Sequence, residues 1–130
     1  MSQENVEIVR RLYDEWARGD FSTREPFGDE LDFEIRGFPD SVRARGIDGM
    51  AKVWREQLQA WDEWRTSHIE ELIEAGEHIV VFNRIWGRGR HSGAEVEAAE
   101  AALFTFRDGK IVRLLLTNRE EALKAAGLSE

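Results

Sequence analysis

A hairpin signal in the C-terminal third sets the architecture of this chain. Asp108-Gly109 is a favoured dipeptide for a two-residue β-turn in which both central residues take positive φ. Strand-like runs flank it on both sides, residues 95–107 and 110–117. Upstream, residues 78–86 are rich in Val, Ile and Phe, and residues 66–75 end at a turn, Ala75-Gly76-Glu77. Three to four antiparallel strands are therefore predicted in succession, with Gly87 to Gly93 as a glycine-broken loop. An earlier strand is predicted at Leu31 to Ile35, where apolar and charged residues alternate. Gly37 to Gly46, with Pro39, Asp40 and Ser41, reads as a loop.

Helices come first in the chain. Val6, Val9, Leu12, Tyr13 and Trp16 recur at three- and four-residue spacing, with Ser2 as a candidate N-cap, Glu4 near the start and Gly19 as a C-cap. Ser22 to Phe27 reads as a short helical turn broken around Pro26. A second helix is predicted from Ile47 to Trp64, on a stripe of Ile47, Met50, Val53, Trp54, Leu58 and Trp61. A short third helix, Glu120 to Ala126, ends at Gly127. Helices segregated from a run of antiparallel strands make the class α+β.

At 130 residues the chain is one domain, residues 1–130. A net charge of −8 repels phosphate backbones, so nucleic acid is not an expected partner. The chain has no cysteine, which excludes disulfides, thiolate chemistry and zinc–sulfur sites. His68, His78 and His91 lack metal-ligand spacing, so neither a metal nor a cofactor is expected. No apolar run reaches membrane-spanning length, and Met1 to Glu7 is polar, so no membrane partner and a cytoplasmic location are the default expectations. Five tryptophans are present: Trp16, Trp54, Trp61, Trp64 and Trp86.

Several segments resemble the SnoaL-like branch of the nuclear transport factor 2-like superfamily. They are Val6 to Asp20 with its ending Ala17-Arg18-Gly19-Asp20, Leu31 to Ile35, Arg45-Gly46-Ile47, Phe106 to Arg113, and Arg119-Glu120-Glu121-Ala122-Leu123. The resemblance spans nearly the whole chain. It implies a cone: a curved antiparallel sheet wrapped around N-terminal helices, with an internal pocket. Relatives include ketosteroid isomerase, polyketide cyclases, epoxide hydrolases and dehydratases, as well as binding proteins without catalysis. The isomerase residues are not matched. Ile35 and Ala102 stand where that family has its two carboxyl groups, and Leu12 stands at its tyrosine, with Tyr13 one position away. For the acidic residue that cyclases hold inside the cone, Asp32 and Glu100 are the nearest candidates.

Strand alternation sorts the remaining candidates. Val80, Phe82, Arg84 and Trp86 share one face of their strand; Ile79, Val81, Asn83 and Ile85 share the other. The family register points the first set into the cone. Arg84 would then meet Glu100, which shares a face with Ala102, Phe104 and Phe106, while the next strand contributes Leu114, Leu116 and Asn118. The opposite register makes Arg84 and Glu100 an outer surface pair. On the inward reading Glu100, Arg84 and Tyr13 are the candidate catalytic residues. Trp16, Trp54, Trp61, Phe82, Trp86, Phe104, Leu114, Leu116 and Asn118 are the candidate ligand-binding residues. The expected function is binding of a small apolar molecule, with cofactor-independent acid–base chemistry of the isomerase or cyclase type as the enzymatic version. The alternative is a non-catalytic ligand-binding module or an interaction module. A homodimer is expected through the outer sheet face, using Ile79, Val81, Ile85, Leu103 and Leu115.

Overall fold

The computed structural model describes residues 2–37 and 41–128. Three helices and seven strands follow in the order α1 (Ser2–Ala17), β1 (Phe27–Ile35), β2 (Val42–Arg45), α2 (Gly46–Gln59), β3 (Trp61–Thr66), β4 (Glu71–Ala75), β5 (His78–Gly89), β6 (Glu95–Arg107), β7 (Lys110–Thr117) and α3 (Arg119–Ala125). One strongly curled sheet runs β2-β1-β7-β6-β5-β3, with β4 also on β5. β4 pairs with the first half of β5 and β3 with its second half, so two short strands share one edge of a long one. All pairings are antiparallel except β1 with β7. The α+β cone is thus present, with one parallel pair next to its β2 edge.

The hairpin signal at Asp108-Gly109 is realised. Both residues take positive φ, 52° and 77°, and join β6 to β7. α1 ends where Gly19 turns left-handed, φ 83°; the side chain of Ser2, the candidate N-cap, and Pro39 and Asp40 of the predicted loop lie outside the described residues. Residues 22–27 form no helix: Glu25-Pro26 is a turn leading straight into β1.

The second helix is shorter than its apolar spacing predicts. It ends at Gln59, and Trp61–Thr66 is strand β3. The error has a specific source. Trp61 and Trp64 are three residues apart, which suits a helix, yet a bulge between Trp61 and Glu63 turns both rings to the same face of the strand. Their rings pack 5.0 Å apart over Gly87. A Cβ there would sit 2.8 Å from Trp64 and 2.9 Å from Trp61, so the tryptophan pair requires glycine opposite. β5 accordingly runs on to Gly89, through part of the segment expected to be loop, and β2 occupies part of the predicted 37–46 loop.

The sheet is covered on both faces. On the concave face Val9, Leu12, Tyr13 and Trp16 of α1 and Met50, Val53 and Trp54 of α2 pack on Phe33, Ile35, Ile79, Val81, Phe104 and Leu116. On the convex face Ala122 and Leu123 of α3 pack on Val80, Phe82, Ala101, Leu103 and Leu115. The family register therefore assigns the two faces of β5 the wrong way round: Ile79, Val81, Asn83 and Ile85 point into the cone, and Val80, Phe82, Arg84 and Trp86 point away. The dimer surface expected from Ile79, Val81, Ile85, Leu103 and Leu115 is not available as such. The first three are buried, Ile79 and Val81 within the concave core, and the last two are fully buried in the convex cluster with α3.

Candidate functional site

Four elements meet at one polar spot inside the cone. β5 and β6 pair Asn83 directly with Glu100, side by side on the concave face. α1 brings Tyr13 down onto Phe104 of β6, ring to ring at 6.0 Å. α2 brings Trp54 against Phe33 at 5.7 Å and Trp16 at 6.0 Å. A cavity of about 10 Å3 remains, walled by Trp16, Trp54, Gln57, Trp64, Ile85 and Glu100, among others. That is room for about one water molecule.

Glu100 is the titratable group of this cavity. Burial pushes its carboxyl up to about 7 from an ordinary value of 4.5, against a smaller downward pull from Asn83 Nδ2, which donates to Glu100 Oε1 at 3.4 Å. The same Nδ2 donates to the Arg84 carbonyl at 3.2 Å. A carbonyl only accepts, so this bond fixes the orientation of the amide and turns its NH2 toward Glu100. Asn83 Oδ1 is then left buried without a partner among the described residues, as are Tyr13 Oη and Trp54 Nε1. Tyr13 holds its proton: burial first, and the charge on Glu100 second, raise the phenol well above its usual value of 10. Buried polar groups are nearly always satisfied; of the four such side-chain atoms without a partner among the described residues, Thr117 Oγ1 being the fourth, three belong to residues of this cone interior.

The sequence-derived candidates divide sharply. Glu100 and Tyr13 lie inside the cone, with Trp16, Trp54 and Leu116 on the cavity wall. Phe104 and Leu114 belong to the core on the same face. Trp61 packs at a tilt against Trp64, which itself lines the cavity. The others are outside. Arg84 is exposed on the convex face and bonds Glu97 at 3.1 Å, not Glu100. Trp86 points the same way, its Nε1 donating to Glu95 at 3.3 Å. Phe82 lies under the Arg119 guanidinium at 4.2 Å. Asn118 caps α3, its side chain accepting from the Glu121 amide. Asp32 pairs with Arg43, whose hydrogen bonds hold its carboxyl below the usual range. Its neighbours Leu31 and Phe33 take the inward positions.

Sequence reasoning passed over Asn83, Trp64, Gln57 and Thr66. Asn83 carries a legible trace: it is the one strongly polar member of an otherwise aliphatic alternating set, Ile79, Val81, Asn83, Ile85. Trp64 was hidden by the bulge, which mimics helical spacing.

The sequence profile of the SnoaL-like domain matches residues 9–114. The chain belongs to the SnoaL-like domain family. Solved structures agree on the fold. A candidate SnoaL-like polyketide cyclase from Jannaschia sp. CCS1 superposes with a TM-score of 0.76 at 21% identity, over 95% of this chain and 91% of the other. A nuclear transport factor 2-like protein of unknown function from Burkholderia pseudomallei gives 0.78 at 19%, over 93% and 95%. TerC, co-crystallised with polyporic acid, gives 0.75 at 18%, over 95% and 97%. No protein of curated function matches the sequence. No group of three or more His, Asp or Glu that could hold a metal occurs among the described residues of this SnoaL-like domain. No described helix is long and apolar enough to cross a membrane.

Proposed function

We propose that this SnoaL-like domain is a cofactor-independent acid–base enzyme of the isomerase or cyclase type, acting on a small apolar carbonyl compound at Glu100. The observation that carries the reading is Glu100 itself: a carboxyl inside an apolar cone, balanced near neutrality, hydrogen-bonded by Asn83 and in the same helix-covered core as Tyr13 Oη and Trp54 Nε1, which have no partner among the described residues. A base balanced near the working pH is the efficient choice for moving a proton to and from carbon. Tyr13 Oη and Trp54 Nε1 are hydrogen-bond donors in low dielectric, suited to the oxygen on which enolate charge would develop. Asn83 orients Glu100 and holds part of its charge. The likeness to a candidate polyketide cyclase supports the same class of reaction.

The test is hydrogen–deuterium exchange at the α-carbon of 2-tetralone in D2O, followed by proton NMR. The wild-type chain should exchange it faster than buffer, with a rate rising through pH 7 as Glu100 ionises. Glu100→Gln should lose about 100-fold or more of that rate. No exchange above buffer, or full exchange by the Gln variant, overturns the reading.

The size of the cavity favours a second reading. At about 10 Å3 it admits a substrate only if the Trp54 and Trp64 walls move. A non-catalytic binding module would show tryptophan fluorescence changes with apolar ligands and no exchange.

A further inference from the structure

Outside the cone, a groove of about 540 Å3 runs between the segment at residues 19–24 and α2. That is within the size range of small-molecule sites, and it is far larger than the Glu100 cavity. Met50, Trp54 and Leu58 follow one another at four-residue spacing along α2 and form one apolar wall. Phe21 lies on Trp54 with ring centroids 4.7 Å apart and is stacked on Trp16 at 5.9 Å, so the floor is a set of aromatic rings already held in place. A flat apolar body fits such a surface.

Charge decides what the body carries. Three charged residues line the groove, Asp20, Arg24 and Arg55. Asp20 stays ionised, its Oδ1 accepting from the Ser22 amide and hydroxyl, which hold its carboxyl below the usual range. Arg24 is committed to Asp48. Arg55 is exposed and makes no ion pair among the described residues. Arg55 is therefore the groove-lining cation left without a carboxylate partner among the described residues, on a chain whose net charge is −8.

We infer that this groove is a binding site for a flat apolar molecule carrying one negative charge, its ring on Phe21 and Trp54 and its anion on Arg55. Trp54 also walls the Glu100 cavity, so one indole is shared by the two spaces. The inference does not depend on Glu100 being catalytic.

The experiment is a 1H–15N NMR titration of the full chain with 2-naphthoate, and in parallel with the cation 2-naphthylmethylammonium. Naphthoate should move the amide signals of Phe21, Ser22, Ala51 and Leu58 and the indole signal of Trp54, and should bind more tightly than the cation. Arg55→Gln, a change at an exposed position, should weaken naphthoate about tenfold and abolish its advantage over the cation. Glu100→Gln should leave naphthoate binding intact, which separates this site from the acid–base reading. Shifts confined to other surfaces, equal binding of the cation, or an Arg55→Gln variant that binds naphthoate as wild type does would each overturn the inference.

Discussion

Asn83–Glu100 and Arg84–Glu97 occupy the same two strands, one residue apart on β5 and three apart on β6, and share almost nothing else. Asn83 and Glu100 face the interior, where burial lifts a carboxyl to about 7 and leaves an amide oxygen unpartnered. Arg84 and Glu97 face water, with side chains 44% and 60% exposed, as a cross-strand ion pair. Residue chemistry is similar on the two faces; the dielectric around it is not. Outside, opposite charges gain little because water already solvates them. Inside, a single carboxylate is costly to ionise, and that cost is what makes its proton available near neutral pH.

Substitutions on the two faces should diverge accordingly. The largest effect belongs to the concave core: Phe104→Ala, at a fully buried ring touching Tyr13 and Trp16, should cost about 3–5 kcal/mol in chemical denaturation. Next is the pH dependence of Glu100. Its folded pKa lies above its unfolded one, so the folded state holds the extra proton between them. Its contribution is most favourable below about 4.5, falls as pH rises, and levels off above about 7. Glu100→Gln should remove that slope and be more stable than wild type at pH 8 by about 3 kcal/mol, read from denaturation at pH 5 and pH 8. A Gln variant with the wild-type slope would place the titration elsewhere.

Asn83→Leu should act through its neighbour. Loss of the Nδ2 donor moves the Glu100 titration upward, visible by carboxyl 13C NMR, whereas a merely structural role for Asn83 would leave the midpoint in place. The smallest effect is on the convex face. Arg84→Gln should cost under about 1 kcal/mol, less still in high salt, and should not move the Glu100 midpoint. A shift there would erase the contrast between the faces.

The faces of β5 also explain how far the sequence could be read. Alternation divides its residues into two sets, and both sets begin apolar: Ile79 and Val81 in one, Val80 and Phe82 in the other. The reason is that α1 and α2 cover the concave side and α3 covers the convex side, so this stretch lacks the wet face that normally gives the orientation away. Only beyond residue 82 do the sets separate, Asn83 and Ile85 against Arg84 and Trp86. There a half-buried β-strand pattern favours the uncharged set, with Ile85, inside and the set carrying the Arg84 charge outside. The first strand, with one polar set, was legible: Leu31, Phe33 and Ile35 are buried, and Asp32 and Glu34 are not.

By itself the sequence determined the element types that local chemistry dictates. The Asp108-Gly109 turn, the first helix with its Gly19 stop and the α+β order follow from backbone preference and periodicity, which act over a few residues. Tertiary structure alone decided three things. It split the second apolar stripe into α2 and β3, because a bulge makes two tryptophans in a strand resemble a helix. It chose which face of β5 is interior, because that depends on helices distant in the chain. And it brought Glu100 together with Asn83 while sending Arg84 to solvent, because register over the long β5–β6 ladder is set by the summed burial of both faces and not by the attraction of any one charged pair.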